Sequence, residues 1–392
     1  MQNQKLHPQQ RGYRRSLAAI ILTGASAFSM EYCLQPVISH IAATFTLNPA
    51  QASLAVSAAM LGMALMLLLL TAFAERLPRR KMLAGSLILS SAVLLGVGFT
   101  GSFAAVVALR FVQGCILAMV PVLAMSYVNE EFAAEKIRFG IGLYVAGTTL
   151  GGLSGRILAS VLTDYIGWQH AVMALSLLSV AAGVLVWFLL PQEKHHTKAA
   201  AVKFTAVFSK GSKQLLCLCA AAFFMMGAFV AVYNFIPYVL KDAPYNLSQS
   251  AIGFLFTVQL CGTFSSSLAA KLSAQYSSSK IINICLAFLA GGALLTLHHM
   301  LVIKIIGLAI LTAGLFGAHA AASGWCGQLA EDKAAAGSLY MFSYYGGASI
   351  LGSLGGIFYS SLGWVSVVAM AVLAAAVARL AVHFITPAPK TR

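Results

Sequence analysis

Three ionisable side chains other than histidine and cysteine fall deep inside apolar stretches of this sequence: Glu31, Arg110 and Arg156. A charge at mid-bilayer costs about 2.5 to 3.5 kcal/mol on insertion scales, so each position demands a reason. Glu31 is followed one turn later by Gln35 and then Pro36, while Arg110 shares a helical face with Gln113, Gly114 and Pro121. A carboxyl that burial and a nearby guanidinium pull in opposite directions takes up and releases protons as its surroundings change. Glu31 and Arg110 are therefore the candidate proton-coupling pair. A static ion pair that only fixes helix packing is the competing account.

Further candidates follow from helical spacing. Tyr144, Thr148, Gly152 and Arg156 step along one stripe at i+4, and Gly147, Gly151 and Gly155 form an adjacent one. Small residues every fourth position admit a neighbouring helix closely, whereas the Tyr, Thr and Arg stripe is too polar for lipid and is expected to line an aqueous cavity. Ala348, Gly352 and Gly356 repeat the idea beside Tyr340 and Tyr344. Tyr32, Gln35, Gln113, Tyr233, Asn234, Tyr340 and Tyr344 form an aromatic and amide set suited to stacking a flat or cationic substrate. His319, one turn before Ser323, is a second protonatable group or substrate contact.

The elements that must hold these residues are membrane helices. Of 392 residues 60% are hydrophobic and only 9% charged, against about 25% charged in soluble domains. Apolar runs place six spans near 17–39, 51–73, 82–100, 103–128, 138–162 and 169–190. Six more fall near 214–240, 249–270, 281–300, 302–326, 337–361 and 364–385. Each is long enough to cross roughly 30 Å of hydrocarbon as a helix. The fold class is an all-α integral membrane protein of twelve transmembrane helices. Residues 1–190 are expected to form one six-helix bundle and 214–392 a second, with 191–213 a cytoplasmic linker.

The net charge of +15 comes from 25 Lys and Arg, and nearly all lie at the ends or in alternate loops, with Lys241 and Lys304 alone in the opposite ones. The positive-inside rule then puts both termini in the cytoplasm. Topology explains the basic excess, and no nucleic-acid partner is expected. The seven cysteines form no C-x-x-C pair, so no metal site and no cofactor are expected. A nucleotide-binding phosphate loop is missing too, so any work must draw on gradients.

The halves resemble each other. Pro36 and Tyr32 match Pro237 and Tyr233 at an offset of 201 residues; Gly114 and Glu131 match Gly314 and Glu331 at 200. Leu143-Tyr144 and Gly167-Trp168 match Leu339-Tyr340 and Gly363-Trp364 at 196. Near-constant offsets in chain order mean duplication. Arg14-Arg15 before an apolar run and Ala25-Ser26-Ala27 look like a cleavable signal, but the match to an intact seventh span argues for a retained helix.

With these residues assembled, the chain resembles a major facilitator superfamily transporter, most of all the YnfM-type exporters. RFVQG, holding Arg110, Gln113 and Gly114, is similar to the motif linked with proton coupling in that superfamily. Thr71, Glu75, Arg76, Pro78, Arg79 and Arg80 stand where it usually has Gly-x-x-x-Asp-Arg-x-Gly-Arg-Arg/Lys. The resemblance implies a gate latch of Glu75, Arg76, Arg79 and Arg80, and gating by Gly147, Gly151, Gly152 and Gly155. Those glycines fall on the antiporter signature, with Gly152 in place of its Pro and Arg156 in place of its last Gly. EYCLQP, GLYVAGTTLGGLSGR and AHAAASGWCG carry the rest of the likeness. It implies a monomeric, multi-pass protein of the bacterial inner membrane that exchanges protons for a small molecule such as a drug or metabolite. A facilitator or proton symporter of sugars or other metabolites is the alternative.

Overall fold

A computed structural model describes residues 5–70, 77–193, 212–330 and 332–385. The elements are α1 Arg11–Tyr32, α2 Ile38–Thr44, α3 Pro49–Leu70, α4 Arg79–Phe99, α5 Phe103–Leu117, α6 Met119–Glu131 and α7 Ala134–Leu189. After them come α8 Ser212–Lys241, α9 Gln249–Leu255, a 3-10 turn Phe256–Gln259, α10 Leu260–Leu272, α11 Ser278–Leu295, α12 Leu301–Cys326, α13 Lys333–Leu362 and α14 Trp364–His383.

Nine helices among the described residues are long and apolar enough to cross a membrane. One of them, Ala134–Leu189, holds two expected spans on either side of Gly167. The first span carries Arg11, Arg14, Arg15 and Glu31, and the eleventh is rich in glycine, serine and tyrosine; both are less apolar and complete the twelve. Gly167 and Gly363 both have positive φ, +79° and +68°, a conformation glycine adopts without steric cost. The duplicated Gly-Trp pairs are therefore the same joint made twice.

Three spans differ from the uniform helices the sequence predicts. The fourth is interrupted at Ala118, between α5 and α6, just before Pro121, whose ring disturbs the turn ahead of it. The eighth tightens into the 3-10 turn. The first stops at Tyr32, four residues before Pro36, and resumes as α2. Lys304 also differs: it lies in α12, buried, where Nζ donates to the Thr296 carbonyl at the end of α11. A cation is favourable at a helix C-terminus.

Packing divides the chain into two units, Met1–Val37 with Ala58–Ala201, and Ile38–Ser57 with Val202–Arg392. In the first, α1 and α7 lie against each other along glycines. A Cβ on Gly147, Gly151 or Gly155 would strike the main chain of Ile21, Ala25 and Ser29 in turn. Both helices advance four residues per contact, so the stripe is a seam between backbones. In the second unit α8 and α13 do the same, with Gly347 against the main chain of Phe223. There α13 also meets the start of the second span: Ser349 Oγ donates to the Ser57 carbonyl at 2.8 Å, and a Cβ on Gly356 would strike Ala50.

Candidate functional site

The break after Tyr32 builds the site. Pro36 has no N–H, and Gln35 N turns back to donate to the Tyr32 carbonyl at 3.1 Å. The Glu31 carbonyl, which Gln35 N would bond in a continuous helix, is thereby released. Arg110 takes it: Nη2 donates to Glu31 O at 2.7 Å and Nη1 to Met30 O at 3.0 Å. Gln113 Oε1 accepts from Nη1 as well, as the i+3 spacing predicts. Arg110 is fully buried. It acts as a side-chain cap on the end of α1.

The Glu31 carboxyl is a separate matter. It is 1% exposed, and neither oxygen has a hydrogen-bond partner among the described residues. The two guanidiniums whose charge acts on it are those of Arg110 and Arg156. Arg156, also buried, is bonded elsewhere: Nε and Nη2 donate to Gln35 Oε1 at 2.9 and 2.8 Å, and Nη1 to the Gly152 carbonyl at 2.8 Å. The half-buried ring of Tyr32 lies 4.1 Å from its guanidinium carbon, a cation–π distance. Glu31, Tyr32, Gln35, Arg110, Gln113 and Arg156 thus form one cluster within the first unit. Missing from it are Tyr144 and Thr148, which pack higher up α7 against Gly24. Tyr144 is buried, with no partner for its hydroxyl among the described residues.

In the second unit His319 Nδ1 and Tyr340 OH are 2.9 Å apart. Tyr344 lies 4.4 Å from the His319 ring. Tyr233 belongs to a different group: its hydroxyl meets Thr312 Oγ1 at 2.7 Å, and its ring lies 4.6 Å from Phe229 and 5.4 Å from Phe256. Asn234, fully buried, faces the Gly352 position.

Of the expected latch, Glu75 and Arg76 lie outside the described residues, as does Glu331 of the repeat. Arg79 and Arg80 both engage the first unit. Arg79 forms a two-pronged pair with Glu130, Nη2 to Oε1 at 2.8 Å and Nε to Oε2 at 3.2 Å, at 1% and 10% side-chain exposure. Arg80 donates to the Trp187 carbonyl at 2.9 and 2.7 Å and covers its ring at 4.9 Å. Sequence reasoning missed Glu130 as a partner. It also missed the main-chain pairing of Leu6 with Phe132, where Leu6 N donates to Glu131 O at 2.7 Å.

The helices, their duplicated joints and a charged cluster inside the membrane-spanning part define a transport protein. The model of the Major Facilitator Superfamily matches residues 20–350, and the chain belongs to that family, whose members carry small molecules and are not enzymes. It is 33% identical over 363 residues to the MFS-type transporter YybF of Bacillus subtilis (strain 168), covering 91% of this chain and 90% of that one. To the inner membrane transport protein YnfM of Escherichia coli (strain K12) it is 32% identical over 375 residues, covering 94% and 89%. Its fold is similar to that of a bacterial homologue of the human lysosomal transporter Spinster, solved in an inward-facing and occupied conformation. There the TM-score is 0.78 at 16% identity, over 97% of this chain and all of that one. The nucleoside transporter NupG, solved as a mutant, gives 0.75 at 15%, over 95% and 100%.

Proposed function

We propose that the chain is a proton-coupled secondary transporter of a small molecule, working by alternating access, with Glu31 as the proton carrier. One observation carries the reading: a buried carboxyl stands with no partner for either oxygen among the described residues, between two guanidiniums bonded to other groups. Ionising such a group while it is dry is costly, and water reaching it removes the cost. A proton is therefore held in one state of the protein and given up in the other. A membrane potential of about 100 mV supplies about 2.3 kcal/mol per charge moved, enough for more than tenfold accumulation.

Residues 1–190 and 214–392 act as the two moving bundles in this reading, with 191–213 joining them in the cytoplasm. Both termini are cytoplasmic, in keeping with the distribution of lysine and arginine, and the protein works as a monomer in a bacterial inner membrane. Tyr32, Gln35, Gln113, Tyr144, Thr148, Arg156, Tyr233, Asn234, His319, Tyr340 and Tyr344 serve the cargo. The glycine seam of Gly147, Gly151 and Gly155, with Gly152 beside it, and the latch of Glu75, Arg76, Arg79 and Arg80 serve gating.

Exchange of protons for cargo, which is export, is supported by the RFVQG segment and that seam. Movement of proton and cargo in the same direction is the second reading, favoured by the buried cation Arg156 in place of a small residue. Flux in inverted vesicles under an imposed proton gradient separates the two. Glu31→Gln removes the response to the gradient in either case, and undiminished pH-driven flux in that variant rules Glu31 out.

A further inference from the structure

We propose that Arg156 is the grip for an anionic group on the transported molecule, a carboxylate or phosphonate attached to an aromatic ring. The proposal rests on the proton-coupled reading above. Nε and Nη2 form the edge of a guanidinium that matches the two oxygens of a carboxylate. Here both end on the single neutral oxygen of Gln35, and Glu31, a carboxylate one turn away, does not take that edge. An incoming anion offers two charged acceptors where Gln35 offers one neutral acceptor, and charge-assisted bonds are roughly twice as strong.

The surroundings fit the same ligand. Tyr32 covers the guanidinium face and remains half-buried, so it presents a flat surface beside the charge. Gly152 leaves space for both groups, since a Cβ there would stand 3.3 Å from Arg156 Nη1 and 3.4 Å from the Tyr32 ring. The charged residues of the cluster are Arg110, Arg156 and Glu31, so its field is positive whether or not Glu31 carries a proton. A cationic cargo meets repulsion there.

The arrangement also links cargo to proton. Ionised Glu31 and the anion are two negative groups beside one guanidinium, so a proton on Glu31 favours the anion, and the pair travel together. Among the described residues, the groups facing Glu31 are Arg110 from α5 and Arg156 from α7, with Tyr32 and Cys33 beside it in its own segment. The proposal therefore selects the same-direction reading.

Binding of benzoate and phenylphosphonate to the purified full chain tests this, with benzamide and benzylamine as neutral and cationic counterparts, at mildly acidic and mildly alkaline pH. The anions are expected to bind, more tightly in acid. Arg156→Gln is expected to weaken them about tenfold or more. Gln35→Leu removes the competing oxygen and is expected to tighten them severalfold, a gain that misfolding does not produce. Glu31→Gln is expected to bind them without pH dependence. Failure of both anions to bind, preference for benzylamine, or equal binding by Arg156→Gln overturns the proposal. A pH-sensitive dye in proteoliposomes separates the two readings. Arg156-dependent anion binding without proton movement leaves this assignment standing and removes the coupling; proton movement driven by benzylamine does the reverse.

Discussion

Arg110 donates to the main-chain carbonyl of Glu31 at 2.7 Å, while the Glu31 carboxylate has no hydrogen-bond partner among the described residues. The guanidinium holds the end of a helix, and it makes no hydrogen bond to the acid beside it. A carboxylate–guanidinium lock and a backbone cap predict different mutants. Arg110→Leu strips the Met30 and Glu31 carbonyls of a charged donor and is expected to cost about 3 kcal/mol, read as a drop in melting temperature in detergent. Glu31→Gln keeps every bond that Arg110 makes to the main chain and is expected to stay within about 1 kcal/mol of the parent. Equal damage from both would restore the ion pair.

The glycine seam makes a second prediction. Gly151→Val drives a side chain into the main chain of Ala25 and is expected to cost about 1 to 3 kcal/mol by overpacking. Gly142, on the same helix, has nothing within 4 Å of its Cβ position. Gly142→Ala is expected to be neutral or to stabilise by about 0.5 to 1 kcal/mol through helix propensity. Thermal denaturation of the two variants side by side checks the contrast.

The Arg79–Glu130 pair is buried and two-pronged, so removing one partner leaves the other charge stranded. Arg79→Ala and Glu130→Ala are each expected to cost about 3 kcal/mol or more, and the double variant less than the sum of the two. Strict additivity in a double-mutant cycle would show that the pair contributes nothing as a pair.

Lys304 closes the end of α11 through the Thr296 carbonyl, which Trp364 Nε1 also reaches at 3.2 Å. Lys304→Met keeps the length and apolar stem but removes the cap, and is expected to cost about 1 to 2 kcal/mol. The same change at Lys280, exposed at the start of α11, is expected to alter melting by far less.

The charges were legible from sequence because lipid makes them conspicuous: Glu31, Arg110 and Arg156 stand inside apolar runs. The partner each one takes was not. Helical spacing places side chains on faces, so it found Arg110 beside Gln113. It says nothing of main-chain carbonyls released by a helix break, so the bond from Arg110 to the Glu31 carbonyl was out of its reach. Pro36 was the available signal, read only as a repeat marker. The stripe of Tyr144 to Arg156 shows a related limit: spacing put Tyr144 and Arg156 on one face but gave no sign of the bond from Arg156 to Gln35, 121 residues away. Arg79–Glu130 depends on two residues 51 apart meeting, which no local pattern announces.

Pro36 and Pro237 occupy matched places, yet Pro237 lies inside an unbroken α8. The counterpart of Arg110 at the offset of 200 is Ile310, so that side lacks the cation able to hold a helix open. Descent from a doubled gene thus ended in unlike siblings. A chimaera joining two copies of the leading half would inherit two charged joints, and one made from two trailing halves would inherit none.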